Sequence, residues 1–414
     1  MAAQLPSCRF CATPLRATFV DLGSTPLANS YVTAADIEAG RDRRYPLHVR
    51  VCERCFLVQA DEPVHPDAIF SDYAYFSSYS ASWVEHARRY AEAMRERFKL
   101  KPQSLVVEVA SNDGYLLQHF VAAGIPALGI EPAANVAAAA VARGVSTEVA
   151  FFGRETAQRL AARGLRADLT AANNVLAHVP DLRDFVGGFA VLLKDEGVST
   201  FEFPHLFNLI RETQFDTIYH EHFSYLSLVA VENVFRETGM RAFDVEELPT
   251  HGGSLRLFAC REGATHEETE RLRAMRAKER AAGLDALAAY EGFPNKVAAA
   301  KASFLDFLAR ASSEGKRIAA YGAAAKGNTF LNVCGVTERD IVCVFDRSAA
   351  KQGKLLPGSH IPILAPEKIE EVRPDYLVVL PWNLIGEIRS EMAVIAEWGG
   401  RFVTAIPETR ILPA

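Results

Sequence analysis

Leu105–Glu131 reads LVVEVASNDGYLLQHFVAAGIPALGIE, and its order of signals decides the fold. Leu105-Val106-Val107-Glu108-Val109 has the composition of a buried strand, Gly114–Ala123 that of a helix, and Ala127-Leu128-Gly129-Ile130 that of a second strand. Ala133–Arg143 follows as the next helix, and alternation of this kind builds a parallel sheet with helices on both faces. At the first strand-to-helix turn, Ala110, Ser111, Asn112, Asp113 and Gly114 let a ligand approach backbone N–H groups at a helix N-terminus. Glu131 ends the second strand, where an acidic side chain reaches ribose hydroxyls. The pair suggests an adenosine nucleoside, although the turn is not GxGxxG; a surface carboxylate at a strand end is the alternative for Glu131.

Strand signals continue at Ala167–Ala172 and Val198–Phe203, then at Arg241–Val245 and Ser254–Ala259, the last two resembling an antiparallel pair. Glu267–Gly283 is helical in spacing and densely charged, as expected of a solvated helix linking domains. An amphipathic helix over Val297–Ala311 leads to a second alternating series with strands at Arg317–Tyr321, Ile341–Phe345 and Tyr376–Leu380. Its glycine turn, Gly322–Thr329, places Lys326 before Gly327, which is not a P-loop order; the turn could hold a diphosphate or serve only close helix packing.

Before residue 70 the chain is different, with short strand signals and two CxxC knuckles, Cys8/Cys11 and Cys52/Cys55. Two such knuckles complete a tetrahedral four-thiolate shell for structural Zn²⁺, which can supply folding energy that a small module lacks. Two disulfides or four buried thiols remain the alternatives. The 414 residues allow two or three domains, and a net charge of −6 without a basic block speaks against nucleic acid as the main partner. The N-terminus lacks a signal-peptide pattern, and no apolar run is long enough to span a bilayer, so a cytoplasmic protein without a membrane partner is expected.

Phe215–Tyr225, FDTIYHEHFSY, concentrates polar aromatic groups, and Asn173, Asn174 and His178 follow a strand signal. These groups could share a cleft in which histidine is the base and tyrosine or neutral histidine donates to an oxyanion. The HEH order lacks HExxH spacing, which leaves a metal held by His178, His220 and His222 as a minor alternative.

The ordered segments SDYAYFSSYS, EVASNDGYLL, NNVLAHVPD, FEFPHLFNLI, YHEHFSYLS, HGGSLRLF, GAAAKGNTFLN, DRSAAKQGKLLPGSHIPI and PWNLIGEI, with the four cysteines, span nearly the whole chain. In this order they resemble the S-adenosylmethionine-dependent C-methyltransferases of nucleotide-linked 4-keto deoxysugars, nearest to the 3-C-methyltransferases. The resemblance implies an α/β protein with a zinc-binding module at 1–70, a Rossmann-like class I methyltransferase domain at 71–285 and a C-terminal Rossmann-like domain at 286–414. It implies His222 as base with Glu221 beside it, Tyr219 and His178 at the ketone oxygen, and Tyr73 over the reacting face. S-adenosylmethionine would lie on Ala110–Gly114, Glu131, Asn173 and Asn174; the diphosphate would meet Lys326, Asn328, Arg347 or His360. The substrate expected is a dTDP-linked sugar, and the protein is expected to be a monomer.

Overall fold

The computed structural model describes residues 5–61 and 76–413. Tyr73 lies outside the described residues. The N-terminal strands β1 (Ala17–Pro26), β2 (Arg44–Val51) and β3 (Val58–Ala60) form an antiparallel sheet. Strands β4 (Val106–Val109), β5 (Ala127–Ile130), β6 (Thr147–Glu148), β7 (Ala167–Asn173) and β8 (Leu193–Pro204) run parallel to one another. After the short strand β9 (Ser224–Tyr225), β10 (Met240–Leu248) and β11 (Ser254–Arg261) complete this sheet in the order β10-β11-β8-β7-β4-β5-β6, with β11 antiparallel to both neighbours. Strand order reverses between β4 and β7, and in such sheets the ligand crevice opens beyond the strand ends at that point.

Strand β9 leaves this sheet and pairs with β3, Val58 opposite Tyr225 and Gln59 opposite Ser224. The YHEHFSY segment therefore supplies the edge of the N-terminal sheet. The third sheet comprises β12 (Ile318–Tyr321), β13 (Val344–Phe345), β14 (Ile363–Leu364), β15 (Tyr376–Val379), β16 (Arg401–Thr404) and β17 (Arg410–Leu412). Its order, β14-β13-β12-β15-β16-β17, reverses between β12 and β15.

The first helix begins later than the sequence suggests, at Leu117 instead of Gly114. Positive φ at Ala110, Asn112 and Gly114 winds the preceding turn out of helical geometry. Gly129 permits this close approach, since a Cβ there would stand 2.3 Å from Ser111 Oγ. The charged helix, Glu270–Ala281, is not wholly solvated: Leu272, Met275 and Glu279 are buried. Glu279 accepts hydrogen bonds from the Leu228 and Val229 amides at 2.7 and 2.9 Å and lies 2.7 Å from His205 Nε2, so it caps the helix Leu228–Thr238 from a neighbouring element. Glu279→Ala strands these buried donors and is expected to cost about 3–5 kcal/mol, read from the urea unfolding midpoint.

The N-terminal module packs against both larger units. Its sheet shares a core with the helix Phe293–Ser313, where Phe19 and Phe293 stack with centroids 4.4 Å apart. The cysteine knuckles share a core with the methyltransferase-like sheet, and Arg183 donates to the Phe10 carbonyl at 2.7 Å. Among the described residues, no helix is long and apolar enough to cross a membrane.

Candidate active site and metal centre

The two knuckles have the same backbone form. The Ala12 amide donates to the Cys8 carbonyl and the Phe56 amide to the Cys52 carbonyl, with positive φ at both Ala12 and Phe56. This folds Sγ of Cys8, Cys11, Cys52 and Cys55 to within 4.8 Å of one another. Separations of 3.6 Å for Cys8–Cys55 and 3.4 Å for Cys11–Cys52 are far beyond a disulfide bond and suit a shared tetrahedral ion. The donor set, four thiols with no open position, is that of structural zinc.

At the β4/β7 reversal, Glu131 organises the SNDG turn by accepting from the Asn112 amide at 3.0 Å and the Ala133 amide at 2.9 Å. Asn112 Oδ1 accepts from the Ser77 amide at 2.8 Å, while Asp113 accepts from Ser78 Oγ and pairs with Arg143 at 2.6 Å. The turn's side chains thus hold the 76–80 segment, and contrary to the expectation of open N–H groups the amides of Ala110, Ser111, Asn112 and Gly114 are donated to Ile130, Glu131 and Ser111. Asn174, just past β7, has positive φ, and its Oδ1 is buried without a hydrogen-bond partner. A buried unmet acceptor at a switch point fits a cationic cofactor such as S-adenosylmethionine.

His222 lies beside this crevice, its ring centroid 4.7 Å from His178 and 4.0 Å from Tyr219. His222 Nδ1 stands 2.8 Å from the Thr217 carbonyl and His178 Nδ1 2.7 Å from the Glu221 carbonyl. A carbonyl oxygen only accepts, so each Nδ1 carries the proton, and the Nε2 of neutral His222 carries a lone pair. Burial, with His178 and Lys326 nearby, holds His222 well below its usual pKa; burial brings His178 to about 4. Both imidazoles are therefore neutral at pH 7.

The neighbours of His222 in sequence face elsewhere. His220 is buried with Nε2 at 3.2 Å from the Pro46 carbonyl of β2, so it fastens the segment to the N-terminal sheet and forms no metal site with His178 and His222. Glu221 turns away from His222 and accepts from Asn29 Nδ2 at 2.7 Å; burial raises its carboxyl pKa. Tyr31, two residues along the same loop, donates to the Ala323 carbonyl of the third unit.

The β12/β15 reversal faces the same region. Lys326 Nζ donates to the His251 carbonyl at 3.2 Å, approaches Asn383 Oδ1 at 3.4 Å and stands 5.0 Å from the Trp382 ring. Trp382 Nε1 in turn donates to Asp216 at 2.7 Å, a carboxyl that burial pushes up to about 6 against the pull of Lys326. Gly252 fits flush against Trp382, as a Cβ there would lie 2.3 Å from its ring. Of the four residues expected at the diphosphate, Lys326 faces this junction. Asn328 is buried in its helix and bonded by Asn332; Arg347 is exposed and paired with Glu391; His360 contacts Asp42 at 2.6 Å on the N-terminal module.

Asp346 repeats the Glu131 arrangement, accepting from the Ala323 amide after β12 and from the Ser348 amide two residues on, each at 2.8 Å. The two larger units thus share one turn design.

Sequence reasoning gave no role to His251, Asn29, Glu202 or Trp382. His251 has positive φ, with its ring 5.4 Å from Trp83 and Nε2 3.3 Å from Asn174 Nδ2. The adjacent Thr250 is tied to buried Glu202, which His86 and Arg256 also contact at 3.1 and 2.7 Å. Two glycines after a histidine, in HGGS, were the available signal for such a strained turn.

Family models match the chain in three stretches: a zinc binding domain over residues 8–70, a methyltransferase domain over 83–245 and a C-methyltransferase C-terminal domain over 249–407. The C-methyltransferase NovU of Streptomyces niveus is 37% identical over 410 residues, covering 99% of this chain and 97% of that one. A ubiquinone biosynthesis O-methyltransferase of Rhodopseudomonas palustris is 27% identical over 165 residues, 34% of this chain and 65% of that one. Among solved structures, the magnesium protoporphyrin IX methyltransferase of Synechocystis with bound S-adenosylmethionine matches at 15% identity and a TM-score of 0.32, covering 43% of this chain and 77% of that one. An S-adenosylmethionine-dependent methyltransferase of Clostridium acetobutylicum matches at 10% identity and a TM-score of 0.35, with 44% and 92% covered. With full-length similarity at this level, and a four-cysteine centre and neutral histidine cleft in place, the chain belongs to the S-adenosylmethionine-dependent C-methyltransferases.

Proposed function

We propose that the protein transfers a methyl group to carbon 3 of a nucleotide-linked 4-keto deoxysugar, dTDP-linked in the first instance, as a monomer in the cytoplasm. The observation that carries this reading is the His222 tautomer. A neutral imidazole with Nδ1–H anchored on a carbonyl presents the Nε2 lone pair as a base. The ketone acidifies the neighbouring C–H; Nε2 of His222 takes that proton, and the C–H electron pair becomes the enolate. Tyr219 lines the same cleft and donates to the enolate oxygen; His178, expected there from the sequence, spends its one N–H on the Glu221 carbonyl and instead packs against His222, with Glu221 behind them. Tyr73 completes the sugar side in this reading.

S-adenosylmethionine supplies the electrophilic methyl that the enolate carbon attacks. Ala110–Gly114, Glu131, Asn173 and Asn174 would hold it, and Lys326 would face the anionic part of the substrate. Arg347 and His360 are engaged by Glu391 and Asp42 and would shape the substrate-side unit, while Asn328, whose Oδ1 accepts from Asn332, keeps a buried Nδ2 without a hydrogen-bond partner and stays with Lys326 on the substrate side. The units in this proposal are 1–70, 71–285 and 286–414.

Incubation with methyl-labelled S-adenosylmethionine and a panel of dTDP-, GDP- and CDP-4-ketosugars tests the reading. Label on C3 of a panel member supports it; no carbon-bound label on any member ends it. Glu131→Ala removes the acceptor for two turn amides and should weaken S-adenosylmethionine binding about 10–100-fold by calorimetry.

A further inference from the structure

Asn174 stands at the β4/β7 crevice with its backbone and side chain both fixed. Its amide N–H donates to the Glu202 carbonyl at 2.7 Å, and its φ is positive. Its side-chain Nδ2 faces His251 Nε2 at 3.3 Å, which leaves Oδ1 buried with no partner. An amide of this kind has two orientations, and its neighbours decide between them. If His251 Nε2 is the acceptor, Nδ2 points to it and the oxygen is turned into the crevice; if Nε2 carried hydrogen, the amide would rotate and present N–H groups there instead.

The structure has the first arrangement: Asn174 Nδ2 faces His251 Nε2 at 3.3 Å, which makes Nε2 the acceptor and puts the ring proton on Nδ1. Burial lowers the His251 pKa to about 4, with Lys326 acting in the same direction, so the ring is neutral. Its carbonyl accepts from Lys326, and Thr250 beside it is bonded to Glu202. Holding a non-glycine residue at positive φ costs energy that these contacts offset. A sulfonium carries positive charge on its methyl hydrogens, which favours a carbonyl oxygen as neighbour and disfavours an N–H.

We propose that Asn174 Oδ1 receives the sulfonium methyl of S-adenosylmethionine, and that His251 is the positioning residue that keeps this oxygen, and not the amide nitrogen, turned toward it. S-adenosylhomocysteine has neither the charge nor the methyl, so the arrangement favours cofactor over product. The inference rests on the cofactor and not on the identity of the sugar.

Calorimetric titration of the full-length zinc-loaded protein with each ligand gives the affinity ratio of S-adenosylmethionine to S-adenosylhomocysteine without any sugar present. Asn174→Ala and His251→Phe should each lower that ratio about two- to fivefold, mainly through weaker S-adenosylmethionine binding. His251→Gln, which retains an acceptor, should restore much of it, and Asn174→Asp should raise it. Thermal melting of each variant separates these changes from unfolding. An unchanged ratio in folded Asn174→Ala, or equal weakening of both ligands in His251→Phe, would overturn the proposal. A protein that binds both ligands with wild-type preference but methylates no ketosugar would instead count against the sugar reading alone.

Discussion

His222→Ala is expected to lower methyl transfer by about 10²–10⁴-fold. In deuterated solvent without methyl donor, it should also abolish exchange of the hydrogen beside the sugar ketone. The second measurement isolates proton removal from methyl transfer, which makes it the sharper one. Wild-type exchange in the variant would show that another group is the base. His178 has the same neutral, Nδ1-anchored form, so exchange that persists in the variant and is lost in His178→Ala would identify it as the base; Glu221 faces Asn29 and His251 faces Asn174. Because burial keeps His222 neutral well below pH 7, its own titration should not limit activity near neutrality. Tyr219→Phe retains the ring packed on His222 and removes the phenol. If the phenol serves the enolate oxygen, a loss of about 10²–10³-fold should appear while substrate-free cofactor binding stays unchanged.

Cys52→Ser is expected to release the metal and disable the enzyme together. Zinc content by mass spectrometry should fall, proteolytic cleavage should become fast within residues 5–61, and methyl transfer should be lost. Zinc stabilises small modules by about 10–16 kcal/mol in isolated peptides, far more than this short sheet can replace from its own core. The catalytic loss follows from contacts: β3 pairs with β9, His220 is anchored on β2, and Asn29 holds Glu221. A zinc-free variant with normal turnover would show that these contacts persist without the metal.

The sequence made the alternating units and the metal knuckles legible because their signals are local. Strand Ala127–Ile130 matches in full, since an apolar run between two turns admits little else. Cysteine spacing likewise encodes the knuckles, down to the turns that follow them. Three-dimensional neighbours were harder to read. Glu279 looked like one charge among many in Glu267–Gly283, and its burial depends on two amides 51 and 50 positions earlier in a different element. The four residues read as one diphosphate set show the same difficulty: Lys326 and Asn328 share a helix while Arg347 and His360 lie in loops, and their neighbours differ. Asn29 and His251 contribute through tertiary contacts to Glu221 and Asn174, which no local pattern announces.

The pairing of β3 with β9 also dictates an order of assembly. During synthesis the N-terminal strands emerge early, yet their edge partner at Ser224–Tyr225 follows most of the methyltransferase unit, and Phe293, which stacks on Phe19, emerges later still. Contacts this distant form slowly, and their unpaired strands are exposed to aggregation meanwhile. The pairing of β1 with β2 and the four cysteines are complete by residue 55. Metal capture on the nascent chain would then hold β1, β2 and β3 in register until the rest of the protein arrives, making zinc supply during translation a determinant of yield.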